Sequence, residues 1–274
     1  MKKTALFISL LAVSVSCFSS DELLISTGRE RGSYYTIQGP KIVKYLQGVG
    51  LPSTFVESQG SLDNLNKVAS GERAIGIAQA DAIMFFKKTH PKEGINIEIG
   101  GRLGEECVFL VTNKKTSIRS DADIQQKGVS IAVGAEGDGS QATWEYMKLL
   151  EENFKNASEV EQGGVVSLTK VLNGQTDSFM FVTSSNTLST NELFTLTKDN
   201  KDLIFIPIKD WDLNNKLPNG DAVYTFKNVV IEEGTLFDKK ISTICLNAYT
   251  IYNNQLTNDV KEKLSRAFLR MSGQ

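Results

Sequence analysis

The chain has 274 residues, 41% of them hydrophobic and 23% charged, which is enough apolar material for an ordinary core and room for two domains, and excludes a disordered chain. The formal net charge of −2 becomes more acidic once a leader carrying Lys2 and Lys3 is removed, so nucleic acid is a poor partner for this surface.

Lys2-Lys3, the apolar run Thr4–Val15 and the small residues after it form the pattern of a secretory signal, assigned to residues 1–16. The apolar run is too short for a stable membrane span. Ser14-Val15-Ser16-Cys17 resembles a bacterial lipoprotein box, with Ser14 where leucine is usual; lipid attachment at Cys17 and simple cleavage nearby both stay open. The expected location is outside the cytoplasm, in the periplasm, with or without a lipid anchor.

Leu23–Ser26 reads as a strand, followed by a loop from Gly28 to Gly32 and a helix that Ser33 can cap, running toward Leu46. Pro40 interrupts that helix, and a proline in a helix interior costs about 3 kcal/mol, so a kink or an irregular first turn is expected. Thr54–Ser58 is the next strand. Ser61 then caps a helix with Leu62, Leu65 and Val68 at threefold spacing, Gly71 stops it, and the strand Ala74–Gln79 follows. Asp81 is placed to cap the helix Ala82–Thr89. A weak strand near Ile95–Ile99 and an apolar strand Cys107–Thr112 come next, then a helical turn at Asp121–Gln126.

Val129–Gly134, a loop to Gly139-Ser140, and a helix bearing Trp144, Met147 and Leu150 on one face open a second half; that stripe reads as core. Val165–Asn173, Asp177–Thr183, Leu188–Leu196 and Leu203–Ile208 continue the alternation of strands and helices, which argues for largely parallel sheets. Trp211–Lys240 reads as loops, Ile241–Ala248 as a strand and Val260–Met271 as an amphipathic helix.

The halves repeat one pattern. Glu57-Ser58-Gln59-Gly60 leads to Gly71 and a strand, and Val160-Glu161-Gln162-Gly163 leads to Gly174 and a strand, with the glycines eleven positions apart in each. The loops at Ser33-Tyr34-Tyr35, Gly60-Ser61, Gly139-Ser140-Gln141 and Gly163-Gly164 place helix N-termini at strand ends, where unpaired N–H groups favour an anion by roughly 0.3–1 kcal/mol each. Gln79, Thr183 and Ser184 stand at the ends of the equivalent third strands, and Asn64 in the first turn of its helix; all four are ligand candidates. Arg29, Arg31 and Arg102 are possible charge partners.

Signatures of catalysis are sparse. His90, the single histidine, precedes Pro91 in a turn, and no Gly-x-Ser-x-Gly elbow, P-loop lysine or dinucleotide spacing is present. Glu105-Glu106 and Glu232-Glu233 read as surface pairs. No cofactor or metal is expected: Cys107 and Cys245 are too few for a structural zinc site and read as buried small hydrophobes, with a disulfide as the alternative should their strands be neighbours.

Thr27-Gly28, Gly32-Ser33-Tyr34-Tyr35, the stretch from Gln59-Gly60-Ser61 through Asn64-Leu65 and Ala69-Ser70-Gly71 to Ile75-Gly76-Ile77-Ala78-Gln79-Ala80-Asp81, and Val133-Gly134 with Gly139-Ser140 resemble the TAXI family of solute-binding proteins, receptors of one branch of the TRAP transporters. The resemblance implies an α/β periplasmic-binding-protein fold of two lobes, 22–109 with 243–274 and 110–242, whose two largely parallel sheets are joined by crossover strands. It also implies the membrane subunits of a TRAP transporter as partner and a small acidic solute, a glutamate-like amino acid or a dicarboxylate, in the cleft. Here Tyr34 and Tyr35 would pack on the ligand, Ser33, Ser61, Ser140 and Gln141 would hold its carboxylates, and Gln79 and Thr183 would read the remaining polar group. Two alternatives stand beside this reading: a lipid-anchored surface protein that contacts another protein, and an enzyme on the same scaffold.

Overall fold

The structure, a computed structural model, describes residues 22–214, 222–235 and 237–272. The expected leader and Cys17 lie outside the described residues. No described helix is long and apolar enough to cross a membrane.

The first α/β unit begins with β1 (Leu23–Ser26). A π-helical turn, Tyr34–Gln38, then leads into α1 (Gly39–Gln47). Pro40 thereby falls in the first turn of α1, where its missing N–H costs nothing, and the irregularity expected around it is the π turn. β2 (Ser53–Val56), α2 (Ser61–Ala69), β3 (Ile75–Gln79) and α3 (Ala80–Thr89) follow. β1 pairs in parallel with both β2 and β3, giving the order β2-β1-β3. After the short α4 (Pro91–Gly94) the chain enters β4 (Ile97–Asn113), a single strand of 17 residues where two shorter ones were expected. Its middle, Gly100 to Glu106, is too rich in glycine and charge to read as strand, and pairing with the long strand Lys239–Asn253 overrides that.

The second unit repeats the first. After α5 (Asp121–Ile124) come β5 (Ser130–Ala132), α6 (Gly139–Leu150), β6 (Ser158–Val160), α7 (Gly164–Leu172) and β7 (Ser178–Ser184). β5 lies parallel between β6 and β7, the same order as before. Gly71 and Gly174, which end the two equivalent helices, both have positive φ, 81° and 68°, a conformation suited to glycine after a helix. α8 (Glu192–Asp199), β8 (Leu203–Ile206), β9 (Thr225–Glu232), β10 (Lys239–Asn253) and α9 (Asn258–Ser272) complete the chain. β9 occupies a stretch expected to be loop: an edge strand in which Lys227 and Asn228 are both exposed offers little apolar alternation to read.

The two expected sheets form one hydrogen-bonded path, β2-β1-β3-β10-β4-β7-β5-β6, with β8 added to β4 and β9 to β10. β4 and β10 make it continuous. They run antiparallel from Asn253↔Ile97 to Cys245↔Cys107, and there they part, β4 going to β7 and β8 and β10 to β9. At the fork Cys107 and Cys245 form a disulfide. The reading of two free hydrophobes is thus corrected: both cysteines are fully buried, but antiparallel register sets them opposite one another.

Separate cores serve the two units, one around Ile25, Ile42, Ile77 and Phe268, the other around Phe109, Phe179, Phe181 and Phe194. A third, the largest, runs from Leu65 and Ile83 to Trp144, Met147 and Tyr224, and so joins the units behind the crossing strands. Trp144 and Met147 are completely buried, as their stripe predicts.

Candidate functional site

A cavity of about 500 Å³ lies between the two units, walled on one side by the loop from Gly28 to Ile37, by Gln59–Ser61 and by Gln79, and on the other by Asp138–Ser140, Gly163–Val165, Met180–Thr183 and Thr187 to Leu193. Glu106, on β4 just before the fork, lines it between them. Of the residues singled out from sequence, Ser33, Tyr34, Gly60, Ser61, Gln79, Gly139, Ser140 and Thr183 meet here.

The others are placed differently. Asn64 is wholly buried, and its Nδ2 donates to the carbonyls of Thr27 (2.6 Å) and Ile77 (2.7 Å), tying the ends of β1 and β3 together. Tyr35 packs edge-on against Phe55, with ring centroids 5.0 Å apart. Gln141 turns back on its own loop, its Oε1 accepting from Gly137 N–H at 2.8 Å. Ser184 faces an adjoining cavity of about 150 Å³, which shares Ser33, Tyr34, Ile37, Glu106 and Thr187 with the main one. Arg29 and Arg31 lie at the mouth, exposed, whereas Arg102 lies off the cavity.

Two of the expected anion positions are filled by the chain itself. The first-turn N–H groups of Leu62 and Asp63 in α2 donate across the cleft to the Gly137 carbonyl, at 3.2 and 3.4 Å. At α6 the Asp138 carboxylate caps the helix, accepting from Gln141 N–H (2.9 Å) and Ala135 N–H (2.8 Å), so the partial positive charge there is already answered. Burial raises the Asp138 carboxyl above its usual range, against these hydrogen bonds and the charge of Arg29. The loops meet closely because both lack side chains: a Cβ on Gly60 would stand 2.8 Å from Asp138 Cα, and one on Gly139 would overlap the Gln79 side-chain oxygen. The two units therefore touch through these loops.

The floor is polar and acidic. Tyr34 donates its hydroxyl to Glu106 Oε2 at 2.9 Å, and that bond forms a wall between the two cavities. Ser61 Oγ donates to Gln79 Oε1 and accepts from Gln79 N–H, each at 3.3 Å. Glu106 is 7% exposed, and burial pushes its carboxyl up to about 7, helped by the charge of Asp81 and opposed by hydrogen bonds from Tyr34 and Gln79. Behind the floor, fully buried Asp81 of α3 accepts from the Tyr224 hydroxyl at 2.9 Å, and burial lifts it to about 6. Among the described residues no lysine or arginine pairs with either carboxylate. Burial and the Glu106 charge hold the Tyr34 phenol well above its ordinary value, so it stays a donor.

Glu106 was not legible as a site residue. Side by side, Glu105 and Glu106 look like a surface pair, but in a strand neighbours face opposite ways: Glu105 pairs with Lys227 at the surface and Glu106 turns into the cavity. Elsewhere on the wall, Ser140 Oγ accepts from Val182 N–H at 3.2 Å and Thr183 Oγ1 from Asn191 Nδ2 at 2.9 Å.

The sequence profile of the NMT1-like family matches residues 25–271. Among solved structures, XAC2383 from Xanthomonas citri bound to ATP superposes with a TM-score of 0.57 at 10% identity, covering 92% of this chain and 83% of that one. The GluR0 ligand-binding core in complex with L-glutamate gives 0.55 at 11% identity, over 93% and 94% of the two chains. ArtJ, the arginine-, lysine-, histidine-binding protein of Geobacillus stearothermophilus, gives 0.51 at 12%, over 92% and 90%. These likenesses show the fold: a mixed α/β, periplasmic-binding-protein-like architecture.

Proposed function

The chain belongs to the NMT1-like family, and from that membership we propose that it is an extracytoplasmic solute-binding receptor. Residues 22–109 with 243–274 form one lobe and 110–242 the other, and closure about the β4–β10 fork traps a small carboxylate-bearing solute, which the receptor delivers to the membrane subunits of a TRAP-type transporter. The observation that carries this reading is the 500 Å³ cavity walled by both lobes and sealed by backbone hydrogen bonds from Leu62 and Asp63 to Gly137. That volume suits a small polar solute. Arg29, Arg31, Ser33 and Ser140 supply donors for its carboxylate at the mouth and walls, and Gln79 and Thr183 supply polar contacts deeper in. The expected secretory leader agrees with an exported receptor, with or without a lipid on Cys17. Binding is favoured over catalysis because no histidine base stands beside the cavity serines: the single histidine, His90, stacks on Phe86 at the far end of α3.

Native mass spectrometry of the mature protein before and after mild unfolding tests the reading, together with a thermal-shift panel of amino acids and dicarboxylates. A ligand at a hundred times its dissociation constant stabilises the receptor by about 2.7 kcal/mol. A released small acid that restores the shift when added back is the expected result; no released mass and no shift would refute it.

A further inference from the structure

We propose that Glu106 receives a protonated nitrogen of the bound solute, so that the ligand is a zwitterion held with its cationic end against the cavity floor and its carboxylate toward Arg29 and Arg31 at the mouth. This rests on the receptor reading of the same cavity. The floor places two buried carboxylates, Glu106 and Asp81, in one field with no cationic side chain paired to either among the described residues. Buried charge without a partner is strongly unfavourable. A dicarboxylate pushed inward would add to the deficit, whereas an ammonium group removes it, and charge-assisted hydrogen bonds to a carboxylate are the stronger kind.

The groups facing Glu106 agree with this polarity. Tyr34 from the π turn donates one hydrogen bond, Gln79 at the end of β3 adds a neutral amide, and Asp81 from α3 adds negative charge. Ser184 of β7 and Leu246 of β10 flank it in register and bring no charge. Around the remaining wall Asp138 and Glu192 are acidic, and the cations Arg29 and Arg31 stand at the exposed rim. In the empty closed cleft a proton on Glu106 does the work that the ligand nitrogen does in the loaded one. Binding therefore displaces a proton. With the carboxyl near 7, the ionised fraction rises about tenfold from pH 6 to pH 8, and affinity for the amine-bearing ligand rises with it by about the same factor.

Calorimetry on the intact mature protein distinguishes the outcomes. The probes are L-glutamate and L-glutamine against their des-amino counterparts glutarate and glutaramate, in two buffers of different ionisation enthalpy, with wild type and Glu106→Gln. Expected are binding of an amino acid, at least tenfold weaker binding of its des-amino counterpart, proton release near pH 7, and at least a tenfold loss in Glu106→Gln for the amino acid alone. Equal binding of the two members of a pair, or no proton release from wild type, overturns the role of Glu106 and leaves the receptor standing. Should no probe bind, the solute released on unfolding decides: one that takes an amine-specific tag supports the proposal, one that does not overturns it, and no released solute overturns both readings.

Discussion

Gly139→Ala should loosen closure without harming the fold. Gly139 is the first residue of α6 and its φ is not in the left-handed region, so alanine is accommodated there and, as the better helix former, adds up to about 1 kcal/mol. The new Cβ meets the Gln79 side chain across the cleft, overlapping Gln79 Oε1 and standing 2.7 Å from Gln79 Cδ. The Gln79 side chain must swing away, giving up its hydrogen bond to Ser61. A net hydrogen bond is worth about 0.5–1.5 kcal/mol, so the closed population relative to the open one should fall roughly two- to thirteenfold. Hydrogen exchange at the Leu62 amide reads this directly, because its acceptor, Gly137, lies across the cleft. Exchange at Leu62 should quicken by that factor, while core amides of β4 keep their protection and the melting temperature holds or rises. Unchanged Leu62 exchange together with an unchanged radius of gyration would refute the reasoning, since closure would then not depend on the gap that Gly139 leaves.

Asp81→Asn should flatten the pH dependence of stability. The native carboxyl titrates at about 6 against 3.8 unfolded, so between these values the unfolded chain binds fewer protons and stability falls as pH rises, by an amount on the order of 3 kcal/mol once pH exceeds 6. Asparagine keeps an acceptor for Tyr224, and urea unfolding between pH 4.5 and 7.5 should show a variant more stable than wild type at the upper end; a parallel profile would count against the assignment. Asn64→Asp turns a double donor into a carboxylate facing the Thr27 and Ile77 carbonyls, and should cost about 3 kcal/mol or more. A urea midpoint within error of wild type would show that those bonds do not hold β1 and β3.

The local devices were legible because they depend on neighbours in the chain. Gly60, Gly71, Gly163 and Gly174 mark equivalent helices in the two units, Pro40 foretells the irregular turn before α1, and the stripe of Trp144 and Met147 predicts its own burial. What depends on distant partners was not. The α2 N-terminus looks free in sequence, yet it spends Leu62 and Asp63 on a carbonyl some seventy-five positions away, so an apparent anion site is a closing contact. Tyr34 meets Glu106 across 72 positions, and nothing near either residue announces the bond. β4 was read as two strands because pairing with β10, rather than propensity, carries the chain through Gly100 to Glu106.

The bond between Cys107 and Cys245 sits where β4 and β10 part, and joins residues 138 positions apart. Covalently, residues 107–245 therefore form a ring, and the segments before and after it stay joined through the sulfur atoms whether or not that ring is folded. A single cut anywhere from 108 to 244 opens the ring but parts nothing, and under oxidising conditions the nicked protein keeps its mass. Should the ringed segment open, Cys107 of β4 and Cys245 of β10 stay joined.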